Sequence, residues 1–136
     1  MITAVDSSVL LDIVFADPRF GPASHVAMTD SLASGSVVAC PVVWAEVSAA
    51  FEHGPQFSDF MGDLGIDLDP IDAESALVAG RVWRSYRAGG GPSTTVIADF
   101  LIGAHALTRA DRLLTRDRGF LSDFDGLAVV DPTSTP

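Results

Sequence analysis

Short apolar runs alternate along this chain with longer stretches in which apolar residues recur at helical spacing. Residues 2–5 (ITAV) form a β-prone run ending at Asp6, and SSVLLDIVF then follows a helical pattern until Pro18 stops it. The breaker-rich segment 17–22 (DPRFGP) predicts a loop, 23–34 a helix capped by Gly35, and 37–40 (VVAC) a second strand. Pro41 suits the first turn of a helix over 41–53, which gives way at Gly54-Pro55 to a short amphipathic segment at 56–64. A third strand at 66–69 closes at Pro70. Asp72 is placed to cap a helix over 73–88, which ends at Gly89, Gly90, Gly91 and Pro92, the stretch expected to be the most flexible inside the chain. A helix at 96–109, a strand at 113–115 (LLT), a turn around Gly119, a strand at 127–130 (LAVV) and a Pro/Ser/Thr tail complete the pattern.

Strands that are apolar on both sides and separated by helices predict a parallel sheet covered on two faces. The expected fold is a three-layer α/β/α sandwich around a short, mainly parallel sheet of about five strands. In such sheets ligands gather beyond the carboxyl ends of the strands, near a switch in strand order. Residues just after the first, second and fourth strands therefore matter most. A length of 136 residues suits one domain, expected over 1–131 with a flexible tail at 132–136. With 48 % apolar and 19 % charged residues and a mean hydropathy of +0.34, the chain lies far from the composition of disordered segments. The single Cys40 cannot form an internal disulfide, and His25, His53 and His105 are scattered without zinc spacing. No basic leader precedes Asp6 and no apolar run is long enough to span a bilayer, so a cytoplasmic location with no membrane contact is expected.

Four acids stand in unusual places. Asp6 is the only charge among the first eleven residues and falls at the end of the first strand, where it can also cap the following helix. Glu46 is the sole charge in PVVWAEVSAAF, a helix apolar nearly all round and so expected to be buried. Asp99 repeats that pattern in VIADFLIGA, and Asp117 lies two residues beyond Thr115 in LLTRDRGF. If the first and fourth strands are neighbours and the two helices pack beside them, the four carboxylates converge. They repel one another, and a hard divalent cation with oxygen ligands relieves that repulsion most directly.

At this point the sequence resembles the PIN-domain nucleases, and within them the VapC toxins of bacterial toxin–antitoxin pairs, over nearly its whole length. The resemblance is carried in order by VDSSVLLDI, VVWAEVSAAF, IADFLIGAHAL and LLTRDRGF. It implies that Asp6, Glu46, Asp99 and Asp117 are catalytic acids that bind Mg²⁺ or Mn²⁺, with Thr115 and Ser7 in supporting hydrogen-bond roles. It implies cleavage of RNA phosphodiester bonds leaving 5′-phosphate and 3′-hydroxyl ends, inhibition of translation and growth, a VapB-like antitoxin as partner, and a homodimer. The DPRFGP and GGGPSTT loops look particular to this chain.

The charge balance complicates that picture. There are 18 acids against 8 arginines and no lysine, a formal charge of −10, which opposes general attraction to nucleic acid. Seven of the eight arginines fall into two groups: Arg81, Arg84 and Arg87 on one helix, and Arg109, Arg112, Arg116 and Arg118 near Asp117. Arg116 and Arg118 flank a proposed metal ligand and are the expected substrate contacts. Trp44 and Trp83 read as core or dimer-interface residues. The acids at 67, 69, 72 and 74 lack the glycine and glutamate of a calcium loop and read as a strand end plus a helix cap. A receiver-like phosphoacceptor domain would need a lysine beside its acids, and a dehalogenase-like phosphatase an Asp-x-Asp where this chain has Asp6-Ser7-Ser8. A non-catalytic acidic α/β interaction module, whose acids only cap helices, is the remaining alternative; metal titration separates it from the nuclease.

Overall fold

In the computed structural model, which describes residues 1–91 and 97–134, five strands alternate with seven helices. The strands are β1 (Ile2–Val5), β2 (Ser36–Ala39), β3 (Ile66–Leu68), β4 (Arg112–Leu114) and β5 (Val129–Val130). The helices are α1 (Ser7–Val14), α2 (Gly21–Ser34), α3 (Pro41–Ser48), α4 (Gly54–Leu64), α5 (Ala73–Ala88), α6 (Ile97–Arg109) and the single turn α7 (Phe120–Asp123). All four strand pairings are parallel, in the order β3-β2-β1-β4-β5. The α/β fold with its five-stranded sheet is the one expected. Because the order reverses at β1, right-handed crossovers send the connections on either side of it to opposite faces. Accordingly α1 packs on α2 and α3, and α5 packs on α6.

The core follows from that covering. Ala4, Val5, Val37, Ala39, Leu113 and Leu114 are buried from the sheet, against Val9, Leu10, Met28, Val43, Val47, Phe100 and Ile102 from the helices. Among the described residues no helix is long and apolar enough to cross a membrane. The boundaries depart from the sequence reading in informative ways. The predicted loop at 17–22 is cut short because Gly21 and Pro22 open α2, proline fitting a first turn that has no backbone partner for its nitrogen. The helix expected over 41–53 stops at Ser48. Cys40, read as the last residue of a strand, is the extended N-cap of α3. Gly35 ends α2 at φ +154°, with Met1 packed against its Cα where a side chain would stand. Helix α5 spans 73–88 as predicted, with the Asp72 side chain accepting from the Ser75 amide. Pro92 of the expected flexible stretch, and residues 135–136 of the expected tail, lie outside the described residues.

Candidate functional site

The order reversal leaves a crevice between the carboxyl ends of β1 and β4, where Asp6 and Thr115 stand. The backbone joins them, since the Asp6 amide donates to the Leu114 carbonyl at 2.9 Å. Asp6 is 6 % exposed. Its Oδ1 accepts from the Ser7 amide at 2.8 Å, and its Oδ2 accepts from the Thr115 hydroxyl at 2.6 Å and the Ser8 hydroxyl at 3.1 Å. Burial pushes the Asp6 carboxyl above the usual range; the hydrogen bonds oppose this and repulsion from Asp117 adds to it. Thr115 also works outward, its Oγ1 accepting from the Asp117 amide at 3.0 Å. Asp117 in turn accepts from the Gly119 amide at 2.8 Å, a tight local turn that presents its carboxylate at the surface.

Glu46 joins the group from α3. The Ser7 hydroxyl lies 3.2 Å from Glu46 Oε1 and 3.4 Å from Asp6 Oδ1, so one hydroxyl touches both acids. The Glu46 carboxyl is raised above its ordinary value, mainly by desolvation, then by repulsion from Asp6 and Asp99. All four acids singled out in the sequence are thus electrostatically linked through Asp6 and Glu46. The expectation that α3 buries Glu46 is corrected: the residue is exposed, as is Ala45, while Val43 and Val47 face the core. Alanines hid the solvent face, because they read as apolar and sit comfortably on a surface.

A fifth acid was not anticipated. Asp123, on α7, joins Asp99 and Asp117 around a cleft of about 120 Å³ whose remaining wall is Phe100, Gly119, Phe120 and Phe124. Desolvation, then repulsion from Asp117, raises its carboxyl. Nothing in the local string FLSDF distinguishes it from a surface acid. Ser8 was also passed over, although it holds Asp6 from the same turn as Ser7.

The two arginines expected at the substrate are each paired with an acid. Arg116 forks onto Asp12, Nε to Oδ2 at 2.6 Å and Nη2 to Oδ1 at 2.9 Å, with its guanidinium 4.0 Å above the Phe20 ring. Asp12 is 5 % exposed and also accepts from the Ser24 hydroxyl at 2.8 Å. Arg118 pairs with Asp131 at 3.0 Å and donates to the Ser134 hydroxyl at 2.6 Å. Both cations beside Asp117 therefore neutralise other acids, and the chain has no lysine to replace them.

The donor set is chemically uniform: carboxylate and hydroxyl oxygens, with no sulfur or imidazole among the groups just described. Such a set suits a hard divalent ion. The carboxylates are nonetheless spread, and among the described residues no three His, Cys, Asp or Glu side chains are close enough to hold one ion together. Magnesium tolerates that spacing better than most ions, because it keeps several waters and takes only one or two carboxylates directly. The residues fit such an ion.

Comparison with solved structures places the fold. The chain is similar to the VapBC2 complex of Rickettsia felis bound to a promoter DNA fragment, with TM-score 0.75, 16 % identity, and coverage of 96 % of this chain and 98 % of that one. It is similar to VapBC-1 of nontypeable Haemophilus influenzae, with TM-score 0.74, 17 % identity, and 98 % and 100 % covered. It is similar to FitAcB of Neisseria gonorrhoeae, with TM-score 0.68, 23 % identity, and 97 % and 98 % covered. No curated protein matches the chain in sequence. At these identities the likenesses establish the fold. The family itself is shown by sequence, since the PIN domain model matches residues 3–126: the chain belongs to the PIN domain family.

Proposed function

We propose that this protein is a metal-dependent ribonuclease, the toxin of a VapBC-type toxin–antitoxin pair, which hydrolyses RNA phosphodiester bonds and so inhibits translation and growth. One observation carries the reading. Among the described residues Asp6 is buried with neutral hydrogen-bond partners, is linked to Asp117 and Glu46 and through Glu46 to Asp99, and Arg116 and Arg118 beside Asp117 are committed elsewhere. A buried carboxylate held by neutral donors beside further acids is poorly explained by helix capping alone and well explained by a cation it takes up.

Asp6, Glu46, Asp99 and Asp117 would hold Mg²⁺ or Mn²⁺. The bound ion supplies Lewis-acid polarisation of the phosphate, a more acidic water, and neutralisation of charge on the departing oxygen. The chain's own part is positioning: Thr115 and Ser8 fix the Asp6 carboxylate, Ser7 ties Glu46 to it, and the Asp117–Gly119 turn holds the fourth acid. No side-chain nucleophile is needed, and the expected ends are 5′-phosphate and 3′-hydroxyl. The complexes among the similar structures support an antitoxin partner of the VapB kind. An arginine or lysine of that partner, placed beside these acids, is the simplest means of silencing them. A cytoplasmic homodimer completes the reading.

The test is cleavage of single-stranded RNA by the purified chain. Cleavage should require Mg²⁺ or Mn²⁺, stop with EDTA, and vanish in Asp6→Asn while the circular dichroism spectrum is unchanged. Full activity in that variant, or in EDTA, would overturn the assignment, and absence of divalent-ion uptake in calorimetry would favour the interaction module.

A further inference from the structure

With Arg116 and Arg118 paired to acids, the question of what meets the substrate passes to the other arginine group. From Ser75 to Ala98 the sequence holds three arginines and no acid, in a chain with 18 acids. All three, Arg81, Arg84 and Arg87, are exposed on α5. Among the described residues none of them has a carboxylate within salt-bridge distance; Arg87 instead lies 5.1 Å from the centre of the Trp83 ring, one helical turn back. Trp83, Arg84 and Arg87 border a surface hollow of about 370 Å³ floored by Gly80, where a side chain would meet open space. A half-buried indole with the Arg87 guanidinium over its ring and Arg84 beside it brings an aromatic and two phosphate partners together, the combination that binds single-stranded nucleic acid.

The position of this face matters as much as its composition. Helix α5 packs along α6, and Tyr86 meets Phe100 at 5.3 Å between ring centres. Phe100 follows Asp99 and lines the acidic cleft, so the last turns of α5 stand beside the first turn of α6. We propose that the Trp83–Arg84–Arg87 face of α5 is the docking surface for the RNA strand whose phosphodiester the acids cleave. This rests on the ribonuclease reading for its ligand, and on the charge map for its place. A polyanion approaching a molecule of net charge −10 is drawn to the acid-free stretch of α5 beyond Glu74, which holds it next to the cleft.

The experiment measures fluorescence anisotropy of a labelled single-stranded oligoribonucleotide with phosphorothioate linkages, bound to the full chain in Mg²⁺, over a range of salt. In the double variant Arg84→Gln and Arg87→Gln, binding should weaken about tenfold or more, and the slope of log affinity against log salt should flatten by about 1.4, two phosphate contacts' worth. Arg19→Gln, which removes an exposed arginine from another part of the surface, should leave both within about twofold of the parent, as expected of a non-contact. In cleavage assays the double variant should raise KM and leave kcat in place. Unchanged affinity and slope in the double variant would overturn the proposal, as would an equal loss in Arg19→Gln. A dimer that the double variant dissociates with RNA affinity per chain preserved would overturn it too, showing a surface between copies. The two readings separate cleanly: a chain that binds RNA through α5 and cleaves none with any divalent ion keeps the docking surface and loses the nuclease, while cleavage with unaltered KM in the double variant does the reverse.

Discussion

Two acidic clusters in this molecule use the same residue types to opposite ends. At β1 and β4, Asp6 and Glu46 have serine, threonine and amide partners, and desolvation with repulsion from neighbouring acids raises both carboxyls. Beyond β3, Asp69 and Asp72 receive Arg109, whose Nε reaches Asp69 at 2.6 Å and whose Nη1 reaches Asp72 at 2.8 Å. The buried His105 adds its Nε2 at 2.8 Å from Asp69, and both carboxyls there are lowered, Asp72 to about 2. The second cluster is closed: Arg109 and the His105 ring engage its carboxylates, and it ties α6 to α5 and the edge of the sheet. The first is open, held in place by neutral donors and left with negative charge to give away.

The sharpest way to break this contrast is Asp6→Asn. It should lower metal-dependent RNA cleavage by at least about a hundredfold, as loss of a metal-site carboxylate does, while the melting temperature holds or rises because a buried repelling charge is gone. A scan showing strong destabilisation would mean that Asp6 is structural. Divalent metal should next separate the clusters thermodynamically: at about 100 times its dissociation constant, Mg²⁺ or Mn²⁺ should add about 2.7 kcal/mol of stability to the parent and none to Asp6→Asn. Differential scanning calorimetry reads that difference, and equal stabilisation of both proteins would place the ion elsewhere. In the closed cluster, Arg109→Gln should lower the urea midpoint with cleavage and metal affinity retained, since it leaves two carboxylates without their cation near the surface.

The smallest expected effect is in pH. Asp69 and Asp72 are depressed in the folded state, so their contribution is present above the ordinary aspartate pKa of about 4 and is lost as pH falls through their lowered values, about 2 for Asp72. The stability gap between the parent and Arg109→Gln should therefore close across that interval. A gap that stayed constant in acid would show that packing of the arginine stem, not its charge, was being measured.

Much of the fold was legible because its signals are local. Pro41, Asp72 and the triple glycine mark element ends by their own backbone chemistry, and the two-sided apolar strands announce a covered parallel sheet. The acids of the open cluster were legible as charges in apolar surroundings. That signal alone does not discriminate. Asp12 is equally alone among apolar residues of α1 and is more deeply buried than Glu46, yet it is neutralised by Arg116 from 104 residues away. The partner, not the setting, separates a structural acid from an available one, and partners brought together by tertiary packing leave no local trace. Asp123 and the pairing of Arg118 with Asp131 were hidden for the same reason.

The direct pairing of β1 with β4 has a consequence for the life of the chain. Asp6 is made before its neighbours at Thr115 and Asp117, which exist only after more than a hundred further residues have been joined. The centre can therefore assemble only once both segments have left the ribosome, and any nascent chain that stops short of β4 carries Asp6 without Thr115 or Asp117.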